Sequence, residues 1–236
     1  NPDFVSLPGP QPVPEAAAYA ESTARATPEE RAGLVQVVIG EALAHGLVAS
    51  GAFSTAVVET AVLNSLGVDA YCVSTVSDFN TVLMAEDGSG FAAQAAKDMA
   101  EIDGKRLAAE AVEGALRGRA PTPLDPGQYE VVLDAYAVQD MVEFLAYLGF
   151  GARALQEETS FLTGKLGQQV LGENVEIWDD GLDPSGLPMP FDYEGVPKRR
   201  VTFIERGVAK GVAYDSYTAH KEGKSSTGHA LPAPNT

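Results

Sequence analysis

At 236 residues and 45% hydrophobic content, the chain is long enough to bury a substantial core, as one large domain or two modest ones. A net charge of −17, with 16 basic residues that never form a block, argues against nucleic acid or anionic lipid as partners, since a phosphate backbone is held by clustered Lys and Arg. No apolar stretch approaches the roughly 18 residues of a membrane span, and Asn1-Pro2-Asp3-Phe4 has neither the basic nor the apolar region of a signal peptide.

Residues 1–24 open with Pro2, Pro8, Pro10, Pro12 and Pro14, which forbid helix and central strand and predict an extended arm or linker. Such an arm is suited to wrapping another surface. Residues 25–120 read as an α+β domain. Thr27-Pro28-Glu29-Glu30 supplies an N-cap, a proline at the first helical position and a capping-box glutamate. Leu34, Val35, Val38, Ile39, Ala42 and Leu43 then form one apolar face, and Gly46 closes the helix.

From Ala52 to Asp98 the pattern changes to Ser, Thr, Val, Ala and aromatic residues, with turns at Asn64-Ser65-Leu66-Gly67 and Glu86-Asp87-Gly88-Ser89-Gly90. Three antiparallel strands are predicted, Phe53 to Leu63, Asp69 to Met84 and Phe91 to Lys97; the alanines of the third imply a surface closely covered by another element. Cys72 falls in this region as a buried apolar thiol. A lone cysteine cannot form an internal disulfide, which fits a reducing cytoplasm. A second helix, capped by Asp103 and ended by Gly118, carries the stripe Leu107, Ala108, Ala111, Val112, Ala115 and Leu116.

Three prolines and a glycine between Ala120 and Gly127 mark a boundary, so residues 121–236 form a second unit. It begins with a short strand from Tyr129 to Leu133 and a helix to about Gly149 whose apolar face is Val138, Met141, Val142, Leu145 and Leu148. A further short helix is expected around Phe161, Leu162, Leu166 and Val170, then a strand Val175 to Trp178. Val201 to Glu205 and Val208 to Tyr214 make a hairpin turning at Arg206-Gly207. The fold class is therefore α+β, an antiparallel sheet with packed helices followed by the start of a second, β-rich α+β domain.

Chemistry-bearing patterns are sparse. His45, His220 and His229 stand apart from one another and from Cys72, so no metal-ligand spacing exists. His45 suits a helix C-terminus, while His220 and His229 read as exposed. No G-x-S-x-G turn occurs. Asp87-Gly88-Ser89-Gly90 lacks the Lys of a phosphate loop and reads as a tight turn needing positive φ. Lys198-Arg199-Arg200 reads as a solvated turn. Asp179, Asp180, Asp183, Asp192 and Glu194, spaced by turn formers, read as a solvated loop, with a hard-cation site or an acid/base pair as the alternatives.

One series of residues adds a resemblance. Pro190-Phe191-Asp192-Tyr193-Glu194-Gly195-Val196-Pro197, then Phe203-Ile204-Glu205-Arg206-Gly207-Val208, then Ser226-Thr227-Gly228 resembles the landmark series of the TldD/PmbA family. Asn64 to Gly67, Asp87 to Gly90, Leu124 to Tyr129, Ser160 to Leu162, Lys165 to Gly167 and Asp179-Asp180 agree in the same order. On this comparison the chain lacks the family's usual beginning and most of its final β-rich domain. The resemblance implies a cytoplasmic peptidase system in which one member carries an H-E-x-x-x-H zinc helix and a related partner does not, the two forming a heterodimer.

In this chain the corresponding helix is Ala137 to Leu148, with Glu143 and Leu148 at the places of the two histidines and Phe144 at that of the glutamate. Leucine cannot ligate zinc and phenylalanine cannot take a proton, which places the chain on the PmbA (TldE-like) branch. The expectation is a non-catalytic subunit with no cofactor of its own, zinc being held by the TldD-type partner, and with peptide as the bound substrate. Asp192, Glu194, Gly195, Ser226, Thr227 and Gly228 are the expected substrate contacts, because glycine lets a backbone approach a ligand closely. The alternatives are a hydrolase using Asp179, Asp180, Asp192 and Glu194, or a homodimeric binding module.

Overall fold

A computed structural model describes residue 4 and residues 6–232; positions 1–3 and 5 of the predicted arm lie outside the described residues. The arm from residue 6 onward is extended, as its prolines require, and is pinned to the domain that follows it. Asn64 Nδ2 donates to the Pro8 carbonyl at 2.8 Å, and Thr75 N donates to the Ala18 carbonyl at 2.9 Å. The arm ends in a single helical turn, α1 (Glu21–Ala24), within the stretch expected to lack structure.

Helix α2 (Pro28–Ala44) has the predicted capping box: Thr27 Oγ1 accepts from Glu30 N while the Glu30 carboxylate accepts from Thr27 N. Strands β1 (Val48–Leu63), β2 (Asp69–Met84) and β3 (Ser89–Ala96) form an antiparallel sheet in that spatial order. β1 begins five residues before the predicted start at Phe53, pairing Val48 with Met84. The β1–β2 turn is built by Asn64, whose Oδ1 accepts from Leu66 N and Val68 N, and by Gly67 at φ 96°.

Helix α3 (Gly104–Arg117) starts at Asp103, whose Oδ1 accepts from Lys105 N and Arg106 N. Leu107, Ala108, Ala111 and Ala115 are fully buried against the sheet, together with Val38 and Ala42 of α2 and Phe79 and Leu83 of β2. The glycines at the β2–β3 turn have a different cause from the positive φ expected of them. Neither Gly88 nor Gly90 is left-handed. Instead α3 lies directly on β3: a Cβ at Gly90 would meet the Ala111 carbonyl, and one at Gly114 would sit 2.9 Å from the Gly90 Cα.

The second unit differs from expectation at several elements. Residues 121–134 contain no strand, and Val132 is 99% exposed, because no neighbouring strand pairs with this apolar run. Residues 161–168 are a succession of turns rather than a helix, interrupted by Gly164 and Gly167 at φ 70° and 81°. Between them, α4 (Ala135–Gly149) is capped by Asp134, whose Oδ1 accepts from Ala137 N, and α5 (Ala152–Gln156) follows at once.

Strands β4 (Ile177–Asp179), β5 (Val201–Glu205) and β6 (Val208–Ala209) form a second antiparallel sheet, after which comes α6 (Ser216–Lys221). The hairpin turns at Arg206 and Gly207 as predicted, both at positive φ (48° and 76°), the geometry that matches strand twist. β6 is much shorter than expected. Phe150, Leu162, Phe203, Ile204 and Val212 make a separate core here, with the Phe150 and Phe203 rings stacked 4.4 Å apart.

Candidate functional site

The segment from Phe191 to Val196 is a closed turn organised by Asp192. This carboxylate is 1% exposed and saturated by backbone: Oδ1 accepts from Glu194 N (3.0 Å) and Val196 N (2.9 Å), and Oδ2 accepts from Ala230 N (2.8 Å). Gly195, at φ 77°, lets the turn press against the first sheet, where a Cβ would run into Val68 Cγ1. Phe191 fills the same junction beside Val68 and Ala70. Cys72 borders this cluster as a partly buried thiol, pushed up in pKa by burial.

The Ser226-Thr227-Gly228 segment is laced between two neighbours. Thr227 N donates to the Tyr214 carbonyl and Arg199 N donates to the Thr227 carbonyl, each at 3.0 Å. Thr227 Oγ1 accepts from Tyr214 N at 2.8 Å. Gly228, at φ 75°, sits where a Cβ would strike the Pro197 carbonyl. These glycines therefore serve close packing of backbone on protein.

His229, expected at the surface, is enclosed, with its side chain 10% exposed. Nε2 donates to Asp179 Oδ1 at 2.9 Å, and Nδ1 lies 2.9 Å from the Thr227 carbonyl and 3.0 Å from Thr227 Oγ1. The hydrogen bond from His229, aided by the Lys198 ammonium 3.7 Å away, holds the Asp179 carboxyl below its ordinary range. The basic run is correspondingly not a plain solvated turn: Lys198 pairs with Asp179 and the Arg200 guanidinium lies over the Trp178 ring at 5.0 Å.

The acidic residues do not converge. Asp180 Oδ1 accepts from Leu182 N, Asp183 Oδ1 accepts from Ser185 N and Oγ, and Asp192 is spent on the turn. Among the described residues no three His, Cys, Asp or Glu side chains gather as a metal site. Glu194 is the exception in character. Half-buried, it accepts from Ser216 N at 3.0 Å, and burial pushes its carboxyl above the ordinary range, with the Asp192 and Asp215 charges adding to the effect.

Glu194 and Ser226 line one cavity of about 410 Å³, enclosed on one side by Leu7, Pro8 and Gln11 of the arm and on the other by α6 and Lys224. Of the expected contacts, then, Glu194 and Ser226 share an open space, whereas Asp192, Gly195, Thr227 and Gly228 shape the walls behind it. The arm's place in the cavity had no sequence signal beyond its prolines.

Helix α4 is mostly uncovered: Phe144 is 67% exposed, Tyr147 84% and Leu148 57%. Its predicted apolar face is only partly buried, at Val142 and Leu145. It is tied to the first sheet through Tyr136, which packs edge-on against Phe91. No helix among the described residues is long and apolar enough to cross a membrane.

The two units are each of the α+β class, an antiparallel three-stranded sheet with helices beside it. The family models for the PmbA/TldA metallopeptidase central domain and C-terminal domain match residues 7–119 and 126–236. The chain belongs to the PmbA/TldD family. It is 39% identical over 101 residues to protein MJ0231 of Methanocaldococcus jannaschii, covering 42% of this chain and 24% of that one. It is 31% identical over 124 residues to the metalloprotease TldD homolog of Haemophilus influenzae, covering 52% and 26%.

Among solved structures, the Thermotoga maritima protein TM0727 superposes with a TM-score of 0.88 at 25% identity, covering 97% of this chain and 55% of that one. TldE from Thermococcus kodakarensis superposes with a TM-score of 0.82 at 24% identity, covering 98% and 54%. The chain thus spans about half the length of these solved relatives.

Proposed function

We propose that this chain is the zinc-less member of a PmbA/TldD-type peptidase pair, holding peptide or unfolded substrate for a partner subunit that bears H-E-x-x-x-H and the zinc. The observation that carries the reading is the composition of α4. The resemblance aligns Glu143, Phe144 and Leu148 of this helix with the His, Glu and His of H-E-x-x-x-H, and the helix itself contains no histidine. Without an imidazole pair the helix cannot grip zinc, and Phe144 offers no base to activate water.

The cavity beside Glu194 and Ser226 supports a substrate-holding role, since the turn and the strap behind it are fixed by backbone hydrogen bonds and close glycine contacts. A stand-alone hydrolase using Asp179, Asp180, Asp192 and Glu194 draws no such support, because these carboxylates are engaged separately. A cytoplasmic location belongs to the same proposal.

The test is co-expression with an H-E-x-x-x-H member of the family. The pair should co-purify and cleave peptides, with chelation abolishing cleavage and zinc restoring it. Efficient hydrolysis by this chain alone after zinc reconstitution would sink the proposal, and self-association without the partner would favour the homodimeric binding module instead.

A further inference from the structure

The cavity between the arm and α6 carries both signs of charge on a strongly acidic molecule, with Lys224 itself paired to Glu222. The chain carries 33 acidic and 16 basic residues, yet this lining holds the fixed cations Arg199 and Lys224, with His220, against the single carboxylate of Glu194. Arg199 is exposed and makes no ion pair among the described residues, so its planar fork of donors is available to a carboxylate. Lys224 is held in place by Tyr214 and Glu222, at 2.5 and 2.6 Å. Glu194 is positioned by the Ser216 amide. Leu7, Pro8, Val196 and Ala219 add apolar surface to the same lining, suited to a backbone and small side chains.

We propose that this cavity binds a short free peptide by both of its charged ends, the α-ammonium at Glu194 and the α-carboxylate at Arg199 and Lys224. This rests on the peptide-holding reading above and narrows its ligand class to zwitterionic peptides. The volume lies within the roughly 300–1,000 Å³ of small-ligand pockets and accommodates about two or three residues. Because Leu7, Pro8 and Gln11 form one wall, an occupied cavity also fastens the arm.

Calorimetric titration of the chain with trialanine, N-acetyl-trialanine, trialanine amide and the doubly blocked peptide tests this, with amide hydrogen exchange at residues 6–11 as the second readout. Trialanine should bind, each single block should weaken it by about tenfold or more, and exchange in the arm should slow only with the free peptide. Arg199→Gln should weaken trialanine but leave the amide unchanged, and Glu194→Gln should weaken trialanine but leave the acetylated peptide unchanged. Equal binding of blocked and free peptides overturns the two-ended recognition while leaving peptide holding intact. No binding of any of the four at millimolar concentration overturns both.

Discussion

His229 Nε2 lies 2.9 Å from Asp179 Oδ1, joining the last landmark segment of the chain to β4 across fifty positions of sequence. Since Nδ1 of the same ring faces Thr227, the imidazole acts as a rivet between the Ser226-Thr227-Gly228 strap and the small second sheet. Its loss should loosen the rear wall of the cavity without touching the lining directly.

Asp179 makes this rivet sensitive to acid. Its folded-state pKa is lowered, chiefly by the His229 hydrogen bond, so its contribution is present above the ordinary carboxylate value of 3.8 and is lost as pH falls through the lower folded value. Asp179→Asn should therefore be less stable than the native chain at neutral pH, and the gap should narrow below about pH 4. Thermal melts from pH 2 to 7 measure it; a gap independent of pH would refute the assignment.

Asp192 supports the turn through three backbone amides, and an amide side chain cannot replace it. Asp192→Asn keeps one accepting oxygen but sets an NH₂ group against a backbone N–H, either that of Ala230 or those of Glu194 and Val196. A buried donor left without a partner costs about 1–3 kcal/mol. Denaturant unfolding should show a loss of about 2 kcal/mol or more, and the amide of Ala230 should exchange faster.

Gly195→Ala separates crowding from conformation at the junction between the units. The new methyl meets Val68 Cγ1, a side chain, while the φ of 77° stays unfavourable for any L-residue. In a Val68→Ala background that clash is relieved, leaving the left-handed cost of about 1 kcal/mol and a tight 3.3 Å approach to Val62 Cγ1. The double-mutant cycle should therefore show a favourable coupling of about 1 kcal/mol or more; strict additivity would mean that the two residues do not press on each other.

Where local chemistry decided the outcome, the residues declared it. Thr27 with Glu30, Asp103, and Arg206-Gly207 each act within a few positions, and the structure places caps and turn where their side chains and φ preferences demand. The errors arise where a distant partner decides. Tyr129 to Leu133 has strand composition but no strand beside it, and Gly90 is required by the Ala111 carbonyl of a helix twenty-one positions later. His229 has no neighbour in sequence that foretells Asp179. The candidate site was legible as a set of landmarks but not as a cavity, since nothing in the order of residues brings Leu7 and Pro8 to Glu194.

Tyr136 gives the exposed helix α4 its anchor, and removing one oxygen should release it. The phenol donates to the Ala93 carbonyl at 3.1 Å and accepts from Ala93 N at 3.0 Å, meeting both backbone groups of one residue on the β3 edge. Burial raises the phenol pKa, so the donating proton is retained throughout the neutral range. Tyr136→Phe keeps the edge-on contact with Phe91 but leaves both Ala93 groups to water, at a cost of about 1 kcal/mol for bonds so near the surface. The larger effect should be local: amide exchange should accelerate across Ala135–Gly149 and at Ala93, while the α3 core is unchanged. In the proposed pairing, where α4 takes the place of a zinc helix, the variant should also bind the H-E-x-x-x-H subunit more weakly, measured by subunit titration. Unchanged exchange in α4 would show that the helix is held by something other than this hydroxyl.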